Sequence, residues 1–214
     1  MSEAKLREDI RTKDGAPLGK REQTKATNRS AILVAAREVF AELGYGATTV
    51  RDIIRKTGLA SGTFYNYFKS KEEVFEAIMD ANALQVRPRL REQRLKAKDF
   101  PTFIRGTFHT FFDYVANDRN TYAVLRRNSG TLRVRMDTPE IVAGFEELQK
   151  DLEDAIANGL APNVDASYLT ASMIGIAFEM SDRMVLRDDV DVEEATEFAS
   201  NLLLGGINAV PAKK

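Results

Sequence analysis

Residues 48–75, TTVRDIIRKTGLASGTFYNYFKSKEEVF, constrain the fold of this chain more than any other stretch. Thr49 followed three residues later by Asp52 is a helix-start signal. Val50, Ile53 and Ile54 then give a short helix an apolar stripe, and Gly58 ends it. Leu59 is placed to plug the turn into the core. A second short helix begins near Ser61, with Phe64 and Phe68 at i, i+4 as its inner face. Ser70-Lys71-Glu72-Glu73 reads as a capping box that launches a longer helix with Val74, Phe75 and Ile78 inward. A glycine at the Thr57-Gly58-Leu59 turn allows the positive φ that a sharp angle between the short helices needs. The pattern predicts a helix-turn-helix, whose second helix enters the major groove of DNA.

With Phe64 and Phe68 inward, Ser61, Gly62, Thr63, Tyr65, Asn66 and Tyr67 are left to the outside or the flanks. Their chemistry suits a groove. Gly62 permits close backbone approach, and Thr63 offers a methyl for thymine and a hydroxyl for a base edge or a phosphate. Asn66 can pair with adenine through two hydrogen bonds. Tyrosine hydroxyls reach phosphates without a formal charge. Thr49 and Lys71 stand at helix N-termini, where backbone N–H groups also favour phosphate. Each of these residues could equally be a solvated polar position, and Ser61 could be a plain helix cap.

The remainder of the chain reads as helical throughout. Residues 1–24 are polar, with Gly15, Pro17 and Gly19, and are expected to form a flexible arm, either DNA-touching or an inert tail. From Lys25 the pattern turns helical: Ile32, Ala36, Val39, Phe40 and Leu43 share one face, and Gly44 is the expected C-terminal cap. Pro88 is expected to kink or end the helix launched at Ser70. The basic run RLREQRLKAK at 89–98 reads as a solvated helix face or the frayed end of that helix. Further helices are expected from Pro101, around Tyr122–Leu132, from Thr138-Pro139 toward Gly159, over 165–186, and from Asp191 to near Val210. About nine helices and no strand make the chain all-α. The expected organisation is an arm at 1–24, a three-helix helix-turn-helix domain at 25–71, and a larger helical regulatory and dimerisation domain at 72–214.

Charge follows the same division. Residues 1–71 hold 14 Lys+Arg against 8 Asp+Glu, whereas residues 72–214 hold 17 against 24. A basic front and an acidic back suggest that only the front meets a polyanion. The chain has no cysteine and one histidine, His109, so thiolate chemistry and His-rich metal sites are not expected. Neither a glycine-rich phosphate loop nor a nucleophile elbow appears. The expectation is a non-enzyme without cofactor. No apolar run approaches the ~18 residues of a membrane span, and no apolar core follows the basic N-terminal residues. A cytoplasmic location, with no membrane partner, is expected.

Residues 29–75 closely resemble the N-terminal domain of the tetracycline-repressor (TetR-type) family of bacterial transcription regulators. The resemblance rests on Phe40…Gly44-Tyr45, Thr48-Thr49-Val50-Arg51-Asp52-Ile53, Gly58-Leu59-Ala60-Ser61-Gly62-Thr63-Phe64-Tyr65, Tyr67-Phe68 and Ser70-Lys71-Glu72. Ile54 and Thr57 depart from it, standing where the family often has alanine. The resemblance implies that Ser61, Thr63, Tyr65 and Asn66 face bases or nearby phosphates, that Thr49, Tyr67 and Lys71 hold the DNA backbone, and that Gly62 permits close approach. It also implies a homodimer on a palindromic or near-palindromic double-stranded operator, paired through its last two helices.

Candidate interface residues on those helices are Leu169, Met173, Ile176, Met180, Met184, Phe198, Leu202 and Leu203, with burial inside one subunit as the alternative. Family members commonly release DNA when a small molecule enters the C-terminal domain. Candidate pocket residues are Phe103, Phe108, His109, Phe111, Phe112, Tyr122, Phe145, Phe178 and Met180, which suit a partly apolar ligand; taken singly, each also suits a packed core. The cluster Arg126, Arg127, Arg133 and Arg135 could meet an anionic ligand or be a solvated face. The expected function is a repressor released by a small-molecule effector. The alternative is a DNA-binding protein of the same fold controlled by a protein partner.

Overall fold

The structure, a computed structural model, describes residues 19–119, 122 and 138–212. Eight helices make up the regular structure of these residues, and no strand occurs among them. They are α1 (Lys20–Leu43), α2 (Val50–Thr57), α3 (Ser61–Tyr65), α4 (Lys71–Lys96), α5 (Phe100–Asn117), α6 (Pro139–Ala157), α7 (Ala166–Met184) and α8 (Val192–Ile207). The chain divides into two compact units, one up to Ile78 and one from Met79, so the division falls inside α4. The helix expected at 122–132 lies, apart from Tyr122, outside the described residues, as does the Arg126–Arg135 cluster.

The first unit is a small aromatic and aliphatic core. Ile32, Ala36, Val39 and Phe40 of α1 bury against Ile53, Phe64, Phe68, Val74, Phe75 and Ile78. The rings of Phe40, Tyr45 and Phe75 meet at centroid distances of 5.4, 5.8 and 5.1 Å, a geometry that adds to plain area burial. Helix α1 begins at Lys20 rather than Lys25, so the end of the expected arm is its first turn. It ends at Gly44, which has φ 77° and whose N–H donates to the Phe40 carbonyl at 3.0 Å. Gly58 closes α2 in the left-handed region at φ 68°, where a side chain would be strained.

The second unit buries Phe103, Ile104, Phe108 and Phe112 of α5 against Leu148 and Leu152 of α6, Leu169 and Met173 of α7, and Ala195, Ala199 and Ile207 of α8. Aspartates cap three of its helices. Asp99 accepts from the Thr102 N–H at 2.7 Å, and Asp165 and Asp191 cap α7 and α8. Pro139 opens α6, although the buried Thr138 makes no side-chain cap there.

Two expectations about α4 are corrected. Pro88, expected to kink or end it, does not end it. The proline deprives the Leu84 carbonyl of its helical donor, but both residues lie on an exposed face, where water can serve that oxygen. The run 89–98 is not wholly solvated either: Arg94 is 7% exposed and its Nε lies 2.5 Å from Asp151 Oδ2. A polar ladder thus joins the second half of α4 to α6. Asp80 accepts from the Glu140 N–H, Arg87 bridges Glu140 and Glu147, and Arg94 reaches Asp151 and, at 4.0 Å, Glu147. The hydrogen bond that Arg87 donates to Glu147 is the chief reason that its guanidinium is held even more firmly protonated than usual.

Candidate nucleic-acid interface

The helix-turn-helix is built as its sequence requires. Thr49 caps α2 in a full capping box: Asp52 N–H donates to Thr49 Oγ1 (3.3 Å), and Thr49 N–H donates back to Asp52 Oδ2 (2.9 Å). The Thr49 hydroxyl also donates to that carboxylate at 2.6 Å, and this bond is the main cause that lowers the Asp52 pKa. The turn is closed by Thr57, whose hydroxyl donates to the Ile54 carbonyl and accepts from Leu59 N–H. Of the expected α2 stripe only Ile53 is fully buried; Val50 and Ile54 are half-buried.

Helix α3 has Ala60, not Ser61, at its N-cap position, and no side chain caps it. Ser61 is therefore an exposed first-turn residue rather than the cap. Ser61, Gly62, Tyr65 and Asn66 are all exposed and Thr63 is half-buried, while Phe64 is 1% exposed on the inner side. A Cβ built at Gly62 meets nothing within 4 Å, so nothing inside the chain explains that glycine. Tyr67 is half-buried, and its hydroxyl oxygen lies 3.4 Å from the Asn28 side-chain amide.

Lys71 departs from expectation. Its ammonium lies 2.8 Å from the Tyr45 carbonyl oxygen, 3.3 Å from that of Gly46 and 2.8 Å from that of Thr48, and 4.6 Å from the centre of the Tyr45 ring. An ammonium has three donors, and all three are used. The Tyr45 hydroxyl in turn donates to Glu72 at 2.8 Å. Burial opposes ionisation of Glu72, but this bond and its partners outweigh it and lower the pKa. Lys71 and Glu72 thus clamp the loop before α2 onto the start of α4, an internal use for a side chain expected to meet phosphate. Sequence patterns could not find this, because the acceptors are backbone carbonyls that carry no residue identity.

The residues offered as a dimer face separate into two groups. Leu169, Met173 and Met184 are 6%, 2% and 5% exposed and belong to the core of the second unit, which corrects their assignment. Ile176, Met180 and Leu203 are partly buried against the same core. Phe198 and Leu202 are exposed at 62% and 56%. With Gly205 they form one stripe along α8, at i, i+4 and i+7. Tyr168, Ala171 and Gly175 form an exposed stripe along α7, and added Cβ atoms at Gly175 and Gly205 meet nothing within 4 Å.

The proposed pocket residues also divide. Phe103, Phe108 and Phe112 are buried core. Phe178 stands edge-on to Phe111 at 5.3 Å and to Phe145 at 6.4 Å, and the Tyr122 hydroxyl lies 3.3 Å from the Phe178 carbonyl and 3.2 Å from Asp182. Met180 packs against the core. His109 is elsewhere, on an open cleft of about 260 Å³ with Gln93, Lys96, Thr102 and Arg105. Arg105 there is tied to Glu193 and Glu197 of α8.

Residues 32–78 match the family described as bacterial regulatory proteins, tetR family. Solved structures resemble the chain over most of its length. The fatty acid degradation regulator FadR from Bacillus halodurans shares 24% identity at a TM-score of 0.73, covering 84% of this chain and 96% of its own. The transcriptional regulator FadR from Bacillus subtilis, solved in complex with stearoyl-CoA, shares 26% identity at 0.72, covering 83% and 98%. A TetR family transcription regulator from Marinobacter aquaeolei VT8 shares 23% at 0.65, covering 84% and 97%. These relatives are transcription regulators rather than enzymes.

Proposed function

We propose that this chain, whose residues 32–78 match the tetR family of bacterial regulatory proteins, is a cytoplasmic, dimeric, sequence-specific DNA-binding repressor released from its operator by a long-chain acyl-CoA. The observation that carries the DNA reading is the exposed set on α3. Ser61, Thr63, Tyr65 and Asn66 are set to read bases, Gly62 lets the backbone come close, and Tyr67 holds a phosphate, while Thr49, whose N–H and hydroxyl both donate to Asp52, fixes the start of α2. Lys71 serves the same surface by fixing the loop that carries Thr49.

One such helix reads only a few base pairs, so the proposal needs two copies on half-sites about 34–36 Å, or a multiple of it, apart. The exposed Phe198–Leu202–Gly205 stripe of α8 and the Tyr168–Ala171–Gly175 stripe of α7 are suited to supply that pairing. Their small residues would let helices of two copies approach closely. The acyl-CoA part is carried over from the Bacillus subtilis relative and its stearoyl-CoA complex. The Phe111–Phe145–Phe178 cluster, with Tyr122 at its edge, is an apolar neighbourhood suited to an acyl chain. Ligand release follows if acyl-CoA binds the DNA-free state better than the bound one.

The test is displacement. Operator duplex is obtained by selecting bound sequences from random DNA, and the complex is titrated with stearoyl-CoA, free CoA and stearate. Release by stearoyl-CoA alone is the expected result. Operator binding indifferent to all three would remove the effector and leave the DNA reading standing.

A further inference from the structure

We infer that the N-terminal half of α1 carries a second strip of phosphodiester contacts beside the helix-turn-helix, centred on Asn28 and Arg29; this rests on the DNA-binding reading above. Helix α1 begins at Lys20, whereas the match to the family begins at residue 32, so twelve helical residues precede it. These twelve hold Lys20, Arg21, Lys25 and Arg29 against a single acid, Glu22. All four cations are exposed, and among the described residues none has a carboxylate partner. The other end of the same helix is the reverse: there Glu38 and Glu42 neutralise Lys56 of α2.

Arg21, Lys25, Asn28 and Arg29 fall at i, i+4, i+7 and i+8, a single helical face. Two contacts fix where that face lies. The Arg29 guanidinium sits 5.4 Å over the ring of Phe68, a residue 4% exposed. The Asn28 amide lies 3.4 Å from the Tyr67 hydroxyl oxygen. The strip is therefore docked against the residues that follow α3.

The chemistry of these contacts favours an anion. A guanidinium held over a ring face by its charge still has its N–H donors to offer, in the fork geometry that fits phosphate oxygens. An amide that donates to a tyrosine oxygen leaves the phenolic hydrogen free to donate in turn. Asn28 thereby leaves the Tyr67 hydroxyl as a donor for an anion. Lys25, one turn back, extends the positive strip along the helix. A backbone contact of this kind adds affinity without sequence information.

The experiment compares operator affinity of the full chain over a salt series for wild type, Arg29→Ala, Arg29→Lys and Lys25→Ala. Each lost phosphate contact should lower the slope of log affinity against log salt by about 0.9 per copy of the chain. Arg29→Ala and Lys25→Ala should show that fall, weakening operator and unrelated duplex by the same factor with base preference unchanged. Arg29→Lys, which keeps the charge, should retain the wild-type slope. Lys25 is exposed, so its substitution gives the answer even where Arg29→Ala disturbs packing on Phe68. Slopes equal to wild type in both alanine variants, with operator selection intact, would overturn this inference alone. Failure of the wild type to select any sequence would instead remove the reading it rests on. A slope change seen only with an acidic peptide competitor, and not with duplex, would also overturn it.

Discussion

The two units use positive charge in opposite ways. In the first, Lys20, Arg21, Lys25 and Arg29 are exposed and, among the described residues, form no ion pair with a carboxylate. In the second, Arg87, Arg94 and Arg105 are each tied to two carboxylates across a helix interface. The same residue types thus serve as an unspent field for a polyanion in one unit and as internal fastening in the other. Net charge alone does not separate these uses; what separates them is whether a partner carboxylate is within reach.

The largest expected effect breaks the fastening. Arg94→Ala leaves Asp151 without its buried cation, while Glu147 keeps Arg87, and should cost about 3 kcal/mol of stability, the low end for a broken buried pair because Asp151 keeps some exposure. Arg94→Met, which fills the same space without charge, should cost under about 1 kcal/mol or stabilise. Thermal or urea melts of the two variants decide it; equal losses would show that packing, not the ion pair, holds α4 to α6.

Lys71 sharpens the comparison, because it is a cation of the first unit used in the manner of the second. Lys71→Ala should cost about 1–3 kcal/mol of stability and weaken operator binding, yet leave the salt slope at its wild-type value. A slope lowered by about 0.9 per copy would restore Lys71 as a phosphate contact.

Much of the first unit was legible in its sequence because its signals are local. Thr49 with Asp52, the turn glycine at 58, and Phe64 with Phe68 act within a few residues of one another, and the structure keeps each. The second unit was legible as helices but not as an arrangement. Leu169 and Phe198 are equally apolar, and only the packed chain shows one buried and the other exposed. The ladder did leave a trace that went unread: Arg87 and Arg94 share the seven-residue spacing of Glu140 and Glu147. Pro88 did not mark a helix end, because on the exposed face of α4 water can serve the carbonyl that the proline leaves without a helical donor.

Two smaller effects test the reading head. Asn66→Ala should relax base preference at one operator position, a discrimination worth about 1–3 kcal/mol, while unrelated duplex binds as before; an unaltered selected sequence would release Asn66 from that role. Acid should act weakly and with a definite sign. The pKa values of Asp52, held down chiefly by the Thr49 hydroxyl, and of Glu72 are lowered in the folded chain. Their contribution is present above the ordinary carboxylate range near pH 4 and is lost as pH falls through the lower folded values. Thr49→Val should therefore make melting temperature fall less steeply between pH 5 and about 3; an unchanged pH profile would show that the capping box adds nothing measurable.

The central claim is that the first unit reads sequence and does not merely attract DNA. The most direct measurement is the affinity of the full chain for its selected operator against a shuffled duplex of the same length and composition, at one near-physiological salt concentration. The account predicts tighter operator binding by a factor of at least about 10³. Equal affinities would leave only a basic surface and contradict it.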